Sequence, residues 1–450
     1  MTRKGPLGIT SQVKAHLIQQ ALDRRRHGAE QVDMPPPPPE HARWGSADVP
    51  EKYYRMHLHP GYQQLRIIND GGARLGVANP YFKVHDDIAG VTTRIDGREY
   101  LNYASYNYLG FCGDPRVSEA AKAAIDRYGT SVSASRLVSG ERSIHRELER
   151  ALAAAYGVDD AVAFVSGHAT NVTVIGHLFG PRDLVVHDAL IHNSVLQGIK
   201  LSGAHRLPFP HNDLGTLDAM LAEQRRKFER VLIVVEGIFS MDGDYPDLPR
   251  LIDIKRQHRS FLMVDEAHSF GVMGRTGLGI REHFGLSGAD VDIWMGTLSK
   301  TLASCGGFIA GETALTEHLK FLAPGFLYSV GMPPPTAAAA LAALQCMRQE
   351  PARVAALQQR GLLFRNGARA AGIDVGSSTG LAIVPALTGS SARAVHLARA
   401  LFERGIHVQP ILYPAVPEKA ARLRFFINSG HTEEQIVSTV EALRQESARV

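Results

Sequence analysis

Residues 261–272 read FLMVDEAHSFGV. The apolar opening, closed by the carboxylate of Asp265, has strand length and shows no polar alternation, as expected of a strand buried on both faces. Four similar runs surround it: AVAFVS (161–166), LVVH (184–187), VLIVVE (231–236) and VDIWMG (291–296). The segments between them, such as DLPRLIDIKRQHR (247–259), carry helical periodicity. Strands and helices alternating in this way predict an α/β fold with a mostly parallel sheet, and they place the ligand site beyond the C-terminal strand ends, where Asp265 sits.

Outward from this region the chain divides into three parts, 1–80, 81–331 and 332–450. In the first, Ser11 is positioned to cap an amphipathic helix through QVKAHLIQQALDRRRHG, and Pro35 to Pro39 form a stiff extended spacer. The second is the α/β domain. In the third, an alanine-rich helix over Thr336–Met347 leads to LAIVPALTG, GIHVQPILYP and RLRFFINSG, which read as strands interleaved with helices such as TEEQIVSTVEALRQ. A smaller C-terminal α+β domain is expected.

Composition narrows the function. The 450 residues are 44% hydrophobic, enough for one large core and a second, smaller one, and a formal charge of +4 with scattered basic residues gives no nucleic-acid footprint. Three cysteines do not make a disulfide framework or a thiolate metal site. No apolar run reaches the ~18 residues of a membrane span, and the N-terminus lacks an uninterrupted apolar signal core. The expected location is the cytoplasm.

DEAH is also a helicase letter pattern, but the Gly-Lys-Ser/Thr phosphate loop that such enzymes need is missing from the sequence. GVMGRTGLG (271–279) lacks the dinucleotide spacing, and Asp265 with His268 lacks a third metal ligand at plausible spacing. What remains is the pairing of strand ends. Lys300, in GTLSKTLASCGGFIAG just past VDIWMG, is placed to form a Schiff base once its pKa is lowered, and Asp265 is an acid suited to a pyridinium nitrogen. These are the two groups that pyridoxal phosphate requires. The plain alternatives are a helix-capping Asp265 and a solvated Lys300.

From about Pro80 onward, the ordered segments ASYNYLGF, SGHATN, DALIHNS, EGIFSMDGD, VDEAHSFGVMGRTGLG, GTLSKTLASCGG, YSVGMPP and RLRFFINSGHT resemble the α-oxoamine synthase family of fold-type I pyridoxal-phosphate enzymes. SYNYLGF is most similar to the serine-palmitoyltransferase-like members. The resemblance implies a large domain with a seven-stranded sheet, a homodimer with shared active sites, and a set of roles. Lys300 binds the cofactor and moves the α-proton. Asp265 pairs with the ring nitrogen, His268 reaches the phenolic oxygen and His192 stacks on the ring. Gly167 and His168 offer backbone amides to the phosphate, Thr297 adds a hydroxyl, and Ser240 lies nearby. Ser329 serves the partner subunit's phosphate, although Val330 and Gly331 stand where relatives carry more hydroxyls. Arg424 takes the amino-acid carboxylate, with Arg422 as fallback and a structural ion pair as the plain alternative, and Asn107 contacts the substrate. Tyr106 and Tyr108 read equally as packing or functional.

The implied reaction is a decarboxylating condensation of serine, alanine or glycine with an acyl thioester of coenzyme A or an acyl-carrier protein, giving an α-amino ketone, carbon dioxide and free thiol. The alternatives are an aminotransferase on the same fold, disfavoured by YNYLG and LIHNS, and a non-catalytic partner subunit, disfavoured by the presence of Lys300.

Overall fold

The computed structural model describes residues 49–74 and 79–449. The expected helix after Ser11 and the Pro35–Pro39 spacer lie outside these residues. The chain divides into two compact units, Met1–Gly76 and Val77–Val450. In the first, the described part is two short turns followed by a helix, Pro60–Arg74, whose first turn is capped by His59: its Nδ1 accepts the Gly61 amide at 3.1 Å.

The second unit is built on a seven-stranded sheet. Its strands are β3 (Asp160–Phe164), β4 (Leu184–Asp188), β5 (His205–Phe209), β6 (Val231–Glu236), β7 (Phe261–Asp265), β8 (Ile293–Thr297) and β9 (Gly307–Gly311), in the order β3-β9-β8-β7-β6-β4-β5. All neighbours are parallel except β9, which runs antiparallel to both β3 and β8. The strands are apolar throughout because both faces are covered. Along β6, Val231, Ile233 and Val235 enter the core on one face, while Leu232 and Val234 enter the core on the other. Helices Gly167–Leu178 and Asn193–Ser202 cover the second face through Val174, Ile175, Val195 and Ile199. Helices Ser143–Tyr156, Leu214–Gln224, Leu248–His258 and Pro334–Gln349 supply the first. Asp213 and Asp247 cap two of these helices with their side chains, which fixes where the chain leaves the loop and starts to coil.

Two three-stranded sheets complete the unit. In one, β10 (Ile383–Leu387), β12 (Gln409–Ile411) and β13 (Arg422–Phe426) are ordered β10-β13-β12 and antiparallel. In the other, the hairpin β1 (Thr92–Ile95) and β2 (Arg98–Asn102) is joined in parallel by β11 (Ile406–His407). The segment before the large sheet thus pairs with the end of the chain. Main-chain bonds reinforce the closure: Phe426 donates to the Tyr103 carbonyl and Ser429 to that of Tyr108.

Candidate active site

Parallel pairing brings the carboxyl ends of β4, β6, β7 and β8 to one edge of the sheet, with Glu236 in register with Asp265 and Asp265 with Met295. A cavity opens there. Its walls include Gly167, His168, His192, Asp265, His268, Thr297 and Lys300, all of them singled out by their sequence motifs.

Asp265 is buried. Its Oδ2 accepts the Asn171 side-chain amide at 2.8 Å and its Oδ1 the Ala267 main-chain amide at 3.0 Å. The Asn171 amide also donates to Ser194 Oγ at 2.9 Å, and Ser194 Oγ lies 2.7 Å from His192 Nδ1. One polar chain therefore connects His192 to Asp265. His268 is buried with Nδ1 2.7 Å from the Tyr108 hydroxyl. Burial keeps this ring neutral, pushing its pKa well below the ordinary value, and the nearby Lys300, Arg424 and His192 add to the effect. Burial raises the Tyr108 phenol in turn.

Lys300 lies just past β8, its Nζ 5.6 Å from the centroid of the Tyr106 ring. Burial lowers its amine to about 8, against the attraction of Asp265 and Glu236. It also lines a second cavity of about 380 Å³, which Asn107 shares. On the opposite wall of the first cavity, the helix Gly167–Leu178 opens with Ser166 as its cap. A Cβ on Gly167 would meet Thr297 Oγ1 at 2.9 Å, so only glycine lets this helix N-terminus approach the end of β8.

Four residues expected at the site lie off the first cavity. The main chain of Ser240 is engaged, its amide with Glu236 at 3.3 Å and its carbonyl with Arg424 at 3.1 Å. Ser329 Oγ donates to the Val330 carbonyl. Asn107 is buried and committed to the fold, donating to the Ala89 carbonyl at 2.9 Å and accepting the Cys112 amide at 3.2 Å. Arg424 reaches the Ser240 carbonyl and the Met241 sulfur, stacks over Phe426 at 4.6 Å, and leaves a buried Nε without a partner among the described residues. The two strand arginines, two residues apart on β13, face the same loop with different partners. Arg422 is taken by Asp242 at 2.6 Å, and no carboxylate among the described residues pairs with Arg424.

Glu236, Asn171 and Ser194 also serve the site, and Tyr108, whose sequence reads equally as packing or functional, orients His268. Glu236 carried a readable signal, since it ends an apolar strand as Asp265 does. It is buried, its Oε1 has no partner among the described residues, and burial next to Asp265 raises its carboxyl to about 8. Glu266 has a different task. It accepts Ser269 Oγ and the Ile280 amide, bracing the loop after β7.

The sequence model of the class I and II aminotransferases matches residues 98–443. A putative 8-amino-7-oxononanoate synthase from Gloeobacter violaceus is 43% identical over 369 residues, which is 82% of this chain and 93% of that protein. This chain is an α-oxoamine synthase. The 8-amino-7-oxononanoate synthase of Cellvibrio japonicus is 42% identical over 78% of this chain and 87% of its own. Among solved structures, Sphingomonas wittichii serine palmitoyltransferase superposes with a TM-score of 0.83 at 29% identity, over 87% of this chain and 98% of that one. As a fold-type I α-oxoamine synthase the protein is an acyltransferase, and its cofactor is pyridoxal phosphate. Among the described residues, no helix is long and apolar enough to cross a membrane.

Proposed function

We propose that this α-oxoamine synthase condenses serine, alanine or glycine with an acyl thioester of coenzyme A or a carrier protein, releasing carbon dioxide and the thiol and leaving an α-amino ketone. The observation that carries this reading is the convergence of Asp265, His268 and Lys300 on one cavity, with an arginine nearby that no carboxylate among the described residues pairs with.

The residues fit the cofactor. A buried carboxylate anchored by two donors is suited to hold a proton on a ring nitrogen. The amides of Gly167 and His168, at the start of a twelve-residue helix, suit a phosphate, with Thr297 beside them. His192 presents its ring at the cavity wall, held by Ser194. When bound, pyridoxal phosphate supplies an electron sink for negative charge at the α-carbon of the amino acid.

The chain's own groups do the rest. Lys300, with an amine lowered to about 8, would hold the cofactor through its aldehyde and is placed to carry the α-proton of the amino acid. Neutral His268, oriented by Tyr108, and His192 fix geometry and polarise the acyl carbonyl. Arg424 holds the carboxylate that leaves as carbon dioxide, its unpartnered Nε offering a donor. Asn107 belongs to the wall of the adjoining cavity, on the substrate side. Ser240 acts through its main-chain amide, which donates to the Glu236 carboxylate. We infer a homodimer in which Ser329 of one protomer completes the phosphate site of its partner; a monomer by light scattering would count against it. Free cysteines at Cys112, Cys305 and Cys346 support a reducing, cytoplasmic location.

The test is α-proton exchange in heavy water, followed by NMR for glycine, L-alanine and L-serine on the cofactor-loaded protein, with and without an acyl-CoA. Exchange confined to one amino acid identifies the nucleophile. Exchange with none of them under either condition, or accumulation of a keto acid with pyridoxamine phosphate, overturns the reading.

A further inference from the structure

Away from the cofactor cavity, His211 stands between two carboxylates. Its Nδ1 lies 2.9 Å from Asp188 Oδ1 and its Nε2 2.9 Å from Asp244 Oδ2. Ionised carboxylates only accept hydrogen bonds, so both ring nitrogens carry protons and the ring is a cation. Burial opposes that charge, but the bonds to Asp188 and Asp244 outweigh it and raise the pKa to about 10. Phe239 packs perpendicular to the ring at 4.5 Å.

Two loops of the site meet at this ring. Asp188 ends β4, and its carboxylate also takes the amides of Leu190 at 2.8 Å and Asn212 at 2.9 Å, bracing the turn that leads to His192. Asp244 belongs to the loop after β6, which is closed on itself by main-chain bonds from Phe239 to Asp244 and from Gly243 to Phe239. That same loop presents the Ser240 carbonyl and Met241 sulfur to Arg424, at 3.1 and 3.3 Å, and the Asp242 carboxylate to Arg422. Arg422 is fixed by an ion pair, whereas the polar partners of Arg424, beside its stacking on Phe426, are one carbonyl and a thioether of this loop, so a shift of the loop re-aims Arg424.

We propose that His211 is a positioning residue for amino-acid binding: bonded at both nitrogens, it locks the loop after β6 against the turn leading to His192 and thereby aims the Arg424 guanidinium. This rests on the reading of Arg424 as the carboxylate binder. A neutral side chain in its place leaves Asp188 and Asp244 facing one another without a cation, and like charges at that range push apart.

The experiment is a double-mutant cycle on the loaded enzyme with His211→Gln, Arg424→Gln and their combination, alongside His211→Arg. We expect His211→Gln to raise KM for the amino acid on the order of tenfold while turnover at saturation changes less than about threefold, His211→Arg to recover most of the loss, and the double variant to be no worse in KM than Arg424→Gln alone. An unchanged KM in His211→Gln, with only a lowered melting temperature, overturns the proposal. So does an effect that multiplies in full on the Arg424→Gln background. If Arg424→Gln leaves KM unaltered, the carboxylate assignment fails by itself, and a His211 effect on KM then means that His211 acts elsewhere. Should His211→Gln not fold, ¹⁵N NMR of histidine-labelled wild-type enzyme at about pH 8 decides the first step: both His211 ring nitrogens must be protonated there, and a neutral ring overturns the clamp.

Discussion

Lys300 sits where burial and neighbouring charges act in opposite directions, and the balance leaves its amine near 8, well below a free lysine. Only the neutral amine attacks an aldehyde, so cofactor-free enzyme should take up pyridoxal phosphate faster as pH rises, about tenfold per unit, and level off above about 8. Stopped-flow absorbance over a pH series measures this, and an inflection near the ordinary lysine value of about 10.4 would mean that the site does not perturb the amine. The strand arginines make a second contrast. Arg424→Lys should raise KM for the amino acid by about tenfold or more, because a point charge replaces a planar fork, and should leave thermal stability nearly unchanged. Arg422→Lys should do the reverse, since it weakens a buried ion pair with Asp242. Equal effects on KM would contradict the division. Asp265 and Lys300 were legible because each stands at the end of an apolar run with a chemical reason to be there. Glu236 stands in the same kind of place, but its meaning depends on its register with Asp265, which only the folded sheet provides.

Strands that are apolar on both faces could be read from composition alone, and β6 spans the same residues, 231–236, as its sequence run. Strands β5 and β9 could not. HRLPF carries a proline and GFIAG two glycines, residue types that strands disfavour, and tertiary pairing overrides them. The loop after β7 shows how far local chemistry reaches. Gly271 has φ +83, and a Cβ there would lie 2.0 Å from Thr301 Cγ2, on the segment just after Lys300. Gly271→Ala therefore combines backbone strain with a steric clash that presses on the lysine loop. It should cost about 2–4 kcal/mol in urea denaturation and reduce cofactor occupancy at equal concentration. A loss within about 0.5 kcal/mol would show that the loop relaxes freely.

At the scale of the whole molecule, every residue assigned to the reaction lies between Asn107 and Arg424, inside the unit Val77–Val450. The aligned relatives are nearly fully covered by the chain, 93% of the Gloeobacter violaceus protein for example, yet they account for 82% of it. The family model begins at residue 98, and we propose that the N-terminal extension before it serves substrate delivery. Within it, Pro35 to Pro39, which lie outside the described residues, read in the sequence as a stiff spacer. Such an arm gives no advantage with acyl-CoA, which diffuses in unaided, but it raises the effective concentration of an acyl group attached to a carrier protein. Removing residues 1–40 should accordingly leave kcat/KM for an acyl-CoA within about twofold and lower it on the order of tenfold for the same acyl chain on a carrier protein. An unchanged ratio between the two thioesters would remove substrate delivery as the reason for the extension, and equal losses on both would assign the segment to the stability of the enzyme instead.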